Sequence, residues 1–118
     1  MTERTIRNLI SLLNDSKELY RKYLENEKQF YFTKIIRMTN QNILDLINQK
    51  NLNVPMEIKK PILDLKEHLI DWINLWEKER VRLKPKDSDR FIFVGYKLFP
   101  KKIDKILEDY ISTISLKD

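Results

Sequence analysis

Apolar residues recur three and four positions apart along most of this 118-residue chain, which is the spacing of one face of an α-helix. The pattern is densest over residues 61–83. There Ile62, Leu65, Leu69, Trp72, Ile73 and Trp76 fall on one face that continues to Leu83. This predicts a central helix with that face in the core. A narrower ridge of Leu63, Ile70 and Val81 lies on its other side, so the helix is expected to need neighbours on two sides. Asp64, Glu67, Asp71, Asn74 and Lys78 make up a solvated strip between them.

The rest of the chain reads as three further helices. Over residues 2–25, Ile6, Leu9, Ile10, Leu13, Tyr20 and Leu24 keep the helical spacing, with Thr2 placed to cap the start. Asp15 followed by Glu18 has capping-box spacing, so a break at residues 14–16 is a weaker alternative. Over residues 27–50 the expected inward positions are Tyr31, Ile35, Met38, Leu46 and Ile47, with Lys28, Lys34, Arg37 and Asp45 outward. No Gly or Pro separates these two stretches. One continuous helix of that length would outrun the remaining chain, so a tight turn is placed at residues 26–29. Residues 51–60 are asparagine-rich, contain Pro55 and are expected to form a loop. Pro61 is then read as a first-turn residue of the central helix, or as a kink if that helix starts at Pro55. Residues 84–90 form a polar linker, and residues 91–99 an apolar segment whose rings are expected to fold back over one end of the bundle. Pro100 opens a last helix to about residue 115, with Ile103, Ile106, Leu107, Tyr110, Ile111 and Ile114 inward.

Composition supports this reading. One glycine and four prolines are too few for the many turns of an all-β protein, and 42% apolar with 35% charged residues is the balance of a globular chain. The expected fold is an all-α, up-and-down bundle of about four helices, one domain over residues 1–118, with an irregular aromatic loop before the last helix. No cysteine is present, which removes disulfides, thiolate metal sites and cysteine nucleophiles, and fits a cytoplasmic protein. The N-terminal apolar run is interrupted by Asn8, Ser11 and Asn14, so neither a signal peptide nor a membrane span is expected.

Charge departs most from the ordinary. Residues 78–102 hold nine basic and three acidic side chains, a net of +6 in a chain of +5. Arg80, Arg82, Lys84, Lys86, Arg90, Tyr96, Lys97, Lys101 and Lys102 make up a candidate binding surface. Interleaved with Phe91, Phe93 and Phe99, it has the composition of a surface that follows phosphates while rings stack on bases. The plainer alternative is a dipole-complementing helix end with buried rings.

His68 has Asp64, Glu67 and Asp71 at helical spacing, but one histidine on one helix closes no metal site. Leu65 stands where the Glu-x-x-His pattern needs a carboxylate, so a rim histidine paired with a nearby carboxylate is expected. No arginine precedes His68 at the four-to-six-residue spacing of HEPN-type helical ribonucleases, and no phosphate loop, nucleophile elbow or metalloprotease motif occurs. The functional expectation is a non-enzymatic protein–protein interaction module without cofactor or metal. It includes self-association through the ridge of Leu63, Ile70 and Val81. Nucleic-acid binding through residues 78–102 and an enzyme with no visible motif are the alternatives.

Overall fold

The computed structural model describes residues 1–49 and 52–117, with side chains through residue 115. Four helices follow in order: α1 (Glu3–Glu25), α2 (Phe30–Ile47), α3 (Met56–Leu83) and α4 (Ile103–Lys117). α1 and α3 each pack on α2 and α4, so they stand diagonally in a four-helix bundle. No strand occurs among the described residues; the single β-bridge joins Gln29 to Arg90.

Thr2 caps α1 as expected, its hydroxyl accepting from the Thr5 amide at 3.1 Å, and α1 runs unbroken through residues 14–16. The turn also falls where it was placed. It is made without glycine: Glu27 and Lys28 take φ of 59° and 54°, left-handed backbone that costs about 1–2 kcal/mol per residue. What holds it is the segment between α3 and α4, here called the strap (residues 84–102). Gln29 gives α2 no side-chain cap. Instead the Phe30 and Tyr31 amides donate to the Asp89 and Asp87 carbonyls of the strap at 2.8 and 3.0 Å, while the Phe91 amide donates to the Lys28 carbonyl at 2.9 Å. The strap therefore supplies the acceptors that the first turn of α2 lacks, and Asp87 and Asp89 bring negative charge to its positive dipole end.

Expectations for three helices need correction. The last turns of α1 expose Tyr20 and Leu24, which periodicity places inward, and bury Tyr23 instead. α2 is rotated from the predicted phase: its buried face is Phe30, Thr33, Ile36, Asn40, Ile43 and Ile47, whereas Tyr31 and Met38 are exposed. Thr33 and Asn40 are polar, so the true face scores poorly on hydrophobicity and an outward stripe outscores it. α3 starts at Met56, not at Pro61, and Pro61 sits inside the helix. The proline ring removes one hydrogen bond, to the carbonyl of exposed Glu57. Complete burial of Ile58 in the first turn anchors the helix nonetheless. Residues 50 and 51, where the predicted second helix ends and the loop begins, lie outside the described residues.

At 1.5 Å per residue the 28-residue α3 is about 42 Å long and the 15-residue α4 about 22 Å, so α4 covers only part of the fourth side. Ser115 meets Glu3 and Lys17 pairs with Asp104, which places α4 antiparallel along the N-terminal part of α1. The strap fills what α4 leaves open. Two cores result. The lower joins α4 to Ile6, Leu9, Leu13, Ile43, Leu65 and Leu69. The upper is aromatic, with Tyr23, Phe30, Trp72, Trp76 and the fully buried Phe91 of the strap.

Candidate functional site

Each ring of the strap has a structural partner. Phe91 meets Phe30 edge-on at 4.9 Å, Phe93 lies against Trp72 at 5.2 Å, and half-buried Phe99 and Tyr96 both pack edge-on against His68. The Tyr23 hydroxyl donates to the Phe91 carbonyl, and burial pushes its pKa up to about 12. The rings that a stacking surface would present to bases are thus turned inward.

The basic residues of the same stretch do not form one patch. Arg82 pairs with Glu79 at 2.6 Å, and the Lys97 ammonium lies against Glu67 and Asp64 in the first half of α3. Glu67 is 13 residues from Arg80, about 20 Å along the helix. Arg90 sits at the bridge to Gln29, Lys86 in the turn that its amide makes with the Asp89 carboxylate at 2.8 Å, and Lys101 and Lys102 just before α4. Only Arg80 and Lys84 border a shared feature.

That feature is an open groove between α2 and the end of α3. Phe30 and Trp76 form its floor, stacked with ring centroids 5.6 Å apart, and the Trp76 indole donates to the Thr33 hydroxyl at 2.9 Å, which fixes the ring. Met38 and Val81, 64% and 63% exposed, stand on its walls with Pro85. Lys34, Arg37, Arg80 and Lys84 rim it against a single lining carboxylate, Glu77. Glu77 is shared: Arg37 approaches it at 3.2 Å and Arg80 at 3.1 Å, and the Arg80 guanidinium also lies 5.5 Å from the Trp76 ring centre. Lys34 pairs with Asp87 of the strap, and Lys84, left-handed at φ 46°, ends α3 with its amide donating to the Arg80 carbonyl. The α2 half of this groove was not legible in the sequence because Met38 was assigned to the core.

The ridge on α3 is uncovered by the other helices. Leu63, Ile70 and Val81 are all exposed, yet Leu63 and Val81 stand about 27 Å apart along the helix, with Glu67 and Asn74 between them on the same side. Val81 alone reaches the groove.

His68 is buried, not on the rim, and its partner is no carboxylate: Nδ1 lies 2.6 Å from the Lys97 carbonyl oxygen. Burial lowers its pKa, against that hydrogen bond and the nearby Asp71 charge, both of which raise it. The Asp71 carboxylate instead accepts from the Lys97 amide at 3.1 Å, so the two side chains together pin the strap. Among the described residues no group of three or more His, Asp or Glu is arranged to hold a metal ion, and no helix is long and apolar enough to cross a membrane. No family model, curated protein or solved structure matches the chain.

Proposed function

We propose that the protein is a non-enzymatic interaction module whose α2–α3 groove receives an acidic, apolar-faced segment of a partner protein. The observation that carries this reading is the pairing of uncovered Met38 and Val81, above a fixed Phe30–Trp76 floor, with four basic rim residues that outnumber their two carboxylates, the shared Glu77 and the Asp87 that holds Lys34. Exposed apolar side chains around a rigid aromatic floor are what a helix laid into a groove covers, and tryptophan and arginine are the residue types that most often dominate such contacts. Two arginines on one glutamate leave cationic hydrogen-bonding capacity for an incoming carboxylate. Charge also favours a different partner over a second copy. A two-fold interface would set this basic rim against itself, and like charges oppose that pairing. Stacking on single-stranded nucleic acid is disfavoured because Phe91 and Phe93 are occupied in the aromatic core.

Light scattering after size exclusion at low and high salt, together with fluorescence anisotropy, tests this. The anisotropy probes are a labelled acidic amphipathic helical peptide and a labelled oligouridine. The peptide is expected to bind the monomer with salt-weakened affinity, and Val81→Glu or Met38→Glu to abolish binding at unchanged melting temperature. A dimer at both salts, or oligouridine binding tighter than the peptide, would overturn it.

A further inference from the structure

The two cores do not join smoothly. At their seam one polar side chain arrives from each long helix: Ser16 from α1, Asn40 from α2 and His68 from α3, bordering a cavity of about 370 Å³ under the last residues of the strap. That volume falls at the lower end of the roughly 300–1,000 Å³ range of small-molecule sites. The walls are mostly apolar, with Ile36, Leu69 and Trp72 from the helices and Tyr96 and Phe99 from the strap.

Hydrogen-bond accounting leaves two atoms over. A carbonyl only accepts, so His68 Nδ1 carries the proton it shares with the Lys97 oxygen, and in the neutral ring Nε2 is a bare acceptor. The Ser16 hydroxyl donates to Asn40 Oδ1 at 3.3 Å, which leaves the Asn40 amide N–H groups free. Asn40 is 4% and His68 8% exposed, and among the described residues neither Nε2 nor Nδ2 has a protein partner. Neither is sealed, because among the described residues the one enclosed, unpartnered side-chain atom is Asp104 Oδ1. Both residues line the cavity. An occupant that displaces water from these two atoms has to match both, so the site asks for one donor and one acceptor. Lys17 and Lys101 also line it; Lys17 is held by Asp104, while Lys101 has no ion pair among the described residues.

We infer that this seam cavity binds a small heteroaromatic acid, its flat ring between Trp72 and Phe99, its ring N–H donating to His68 Nε2, and its carboxylate accepting from Asn40 and facing Lys101. Titration of the ¹⁵N-labelled protein with indole-3-acetate and with pyrrole-2-carboxylate, combined with calorimetry, tests it. One-to-one binding of at least one probe is expected, with shifts at the Asn40 side-chain amide and at residues 98–101. Methylating the ring nitrogen of the bound probe, or Asn40→Ala, should each weaken binding about tenfold, the effect of one lost hydrogen bond to a polar partner. Leu69→Phe, which fills the cavity from its wall, should keep the spectrum of a folded protein and abolish binding. Absence of saturable shifts with both acids would mean that water alone occupies the seam. Equal affinity for the N-methyl probe, undiminished binding to Leu69→Phe, or shifts confined to Met38 and Val81 would equally refute the assignment.

Discussion

Replacing Phe91 with alanine tests whether the strap is an integral part of the fold or a loop lying on it. The ring is completely buried and touches Phe30 at 4.9 Å and Phe93 at 5.6 Å between centroids. A phenylalanine buries about 200 Å², which at about 25 cal/mol per Å² is about 5 kcal/mol, of which the alanine methyl retains about 1. The expected loss is thus about 4 kcal/mol, within the roughly 3–5 kcal/mol range for truncating a buried aromatic. In a domain whose whole stability is about 5–15 kcal/mol, that is a large share. The strap stays tethered in the variant, because Phe91 contributes only its own backbone amide and carbonyl to the bonds with the Lys28 carbonyl and the Tyr23 hydroxyl. Urea unfolding followed by tryptophan fluorescence is the assay, since Trp72 and Trp76 both sit in the core that Phe91 completes. A loss under about 1 kcal/mol at unchanged m-value would refute the reasoning, since a ring in a real core cannot be removed so cheaply.

Trp76→Ala should destabilise by about 3–5 kcal/mol, whereas Trp76→Phe, which keeps most of the packing on Phe30 but loses the hydrogen bond to Thr33, should cost less; equal melting temperatures for the two would contradict this. Asp71 is exposed, as its place on the solvated strip predicts, but it also holds the Lys97 amide, so Asp71→Ala should cost about 0.5–1.5 kcal/mol in chemical denaturation. His68 is the only histidine, and burial lowers its pKa from the ordinary 6.5. The unfolded chain therefore takes up the proton first, so stability is complete above about pH 6.5 and falls as pH drops towards the folded value. Melting temperature should decline between pH 7 and 5 in the wild type and less in His68→Gln; parallel profiles would show that His68 is not the group responsible.

Local periodicity was enough to read the helices whose buried faces are apolar: most of α1, α3 from Ile62 onward, and α4 were legible because Ile6, Leu65 and Leu107 and their neighbours announce one face each. α2 was misphased for a physical reason that also hid the seam. Thr33 and Asn40 face inward because Trp76 and Ser16 supply partners from other helices, and a partner distant in sequence leaves no mark on local hydrophobicity. The same holds for Pro61, which reads as a helix start until the burial of Ile58 outweighs one missing hydrogen bond. The strap's rings were legible as core-closing, but not its capping of α2, which is made by backbone carbonyls that any sequence carries.

Charge shows most plainly how a run in sequence differs from a patch in space. The surplus of residues 78–102 looks like one cationic surface, but Arg82 is neutralised within α3 by Glu79, and Lys97 by Glu67 and Asp64 across the strap. Such exposed pairs add little stability, typically under about 1 kcal/mol each. They do remove cations from those available to a partner. The acidic members of the run are also committed, since Asp87 and Asp89 sit at the start of α2, and Asp87 holds Lys34. What remains at the groove is a surplus of two charges, from Arg80 and Lys84 with Lys34 and Arg37 of α2 against the two carboxylates of Glu77 and Asp87. The rim that an acidic partner would meet is therefore assembled by the packing of α2 on α3. Its strength depends on the Phe30–Trp76 contact that sets the two helices together, not on the density of basic residues along the chain.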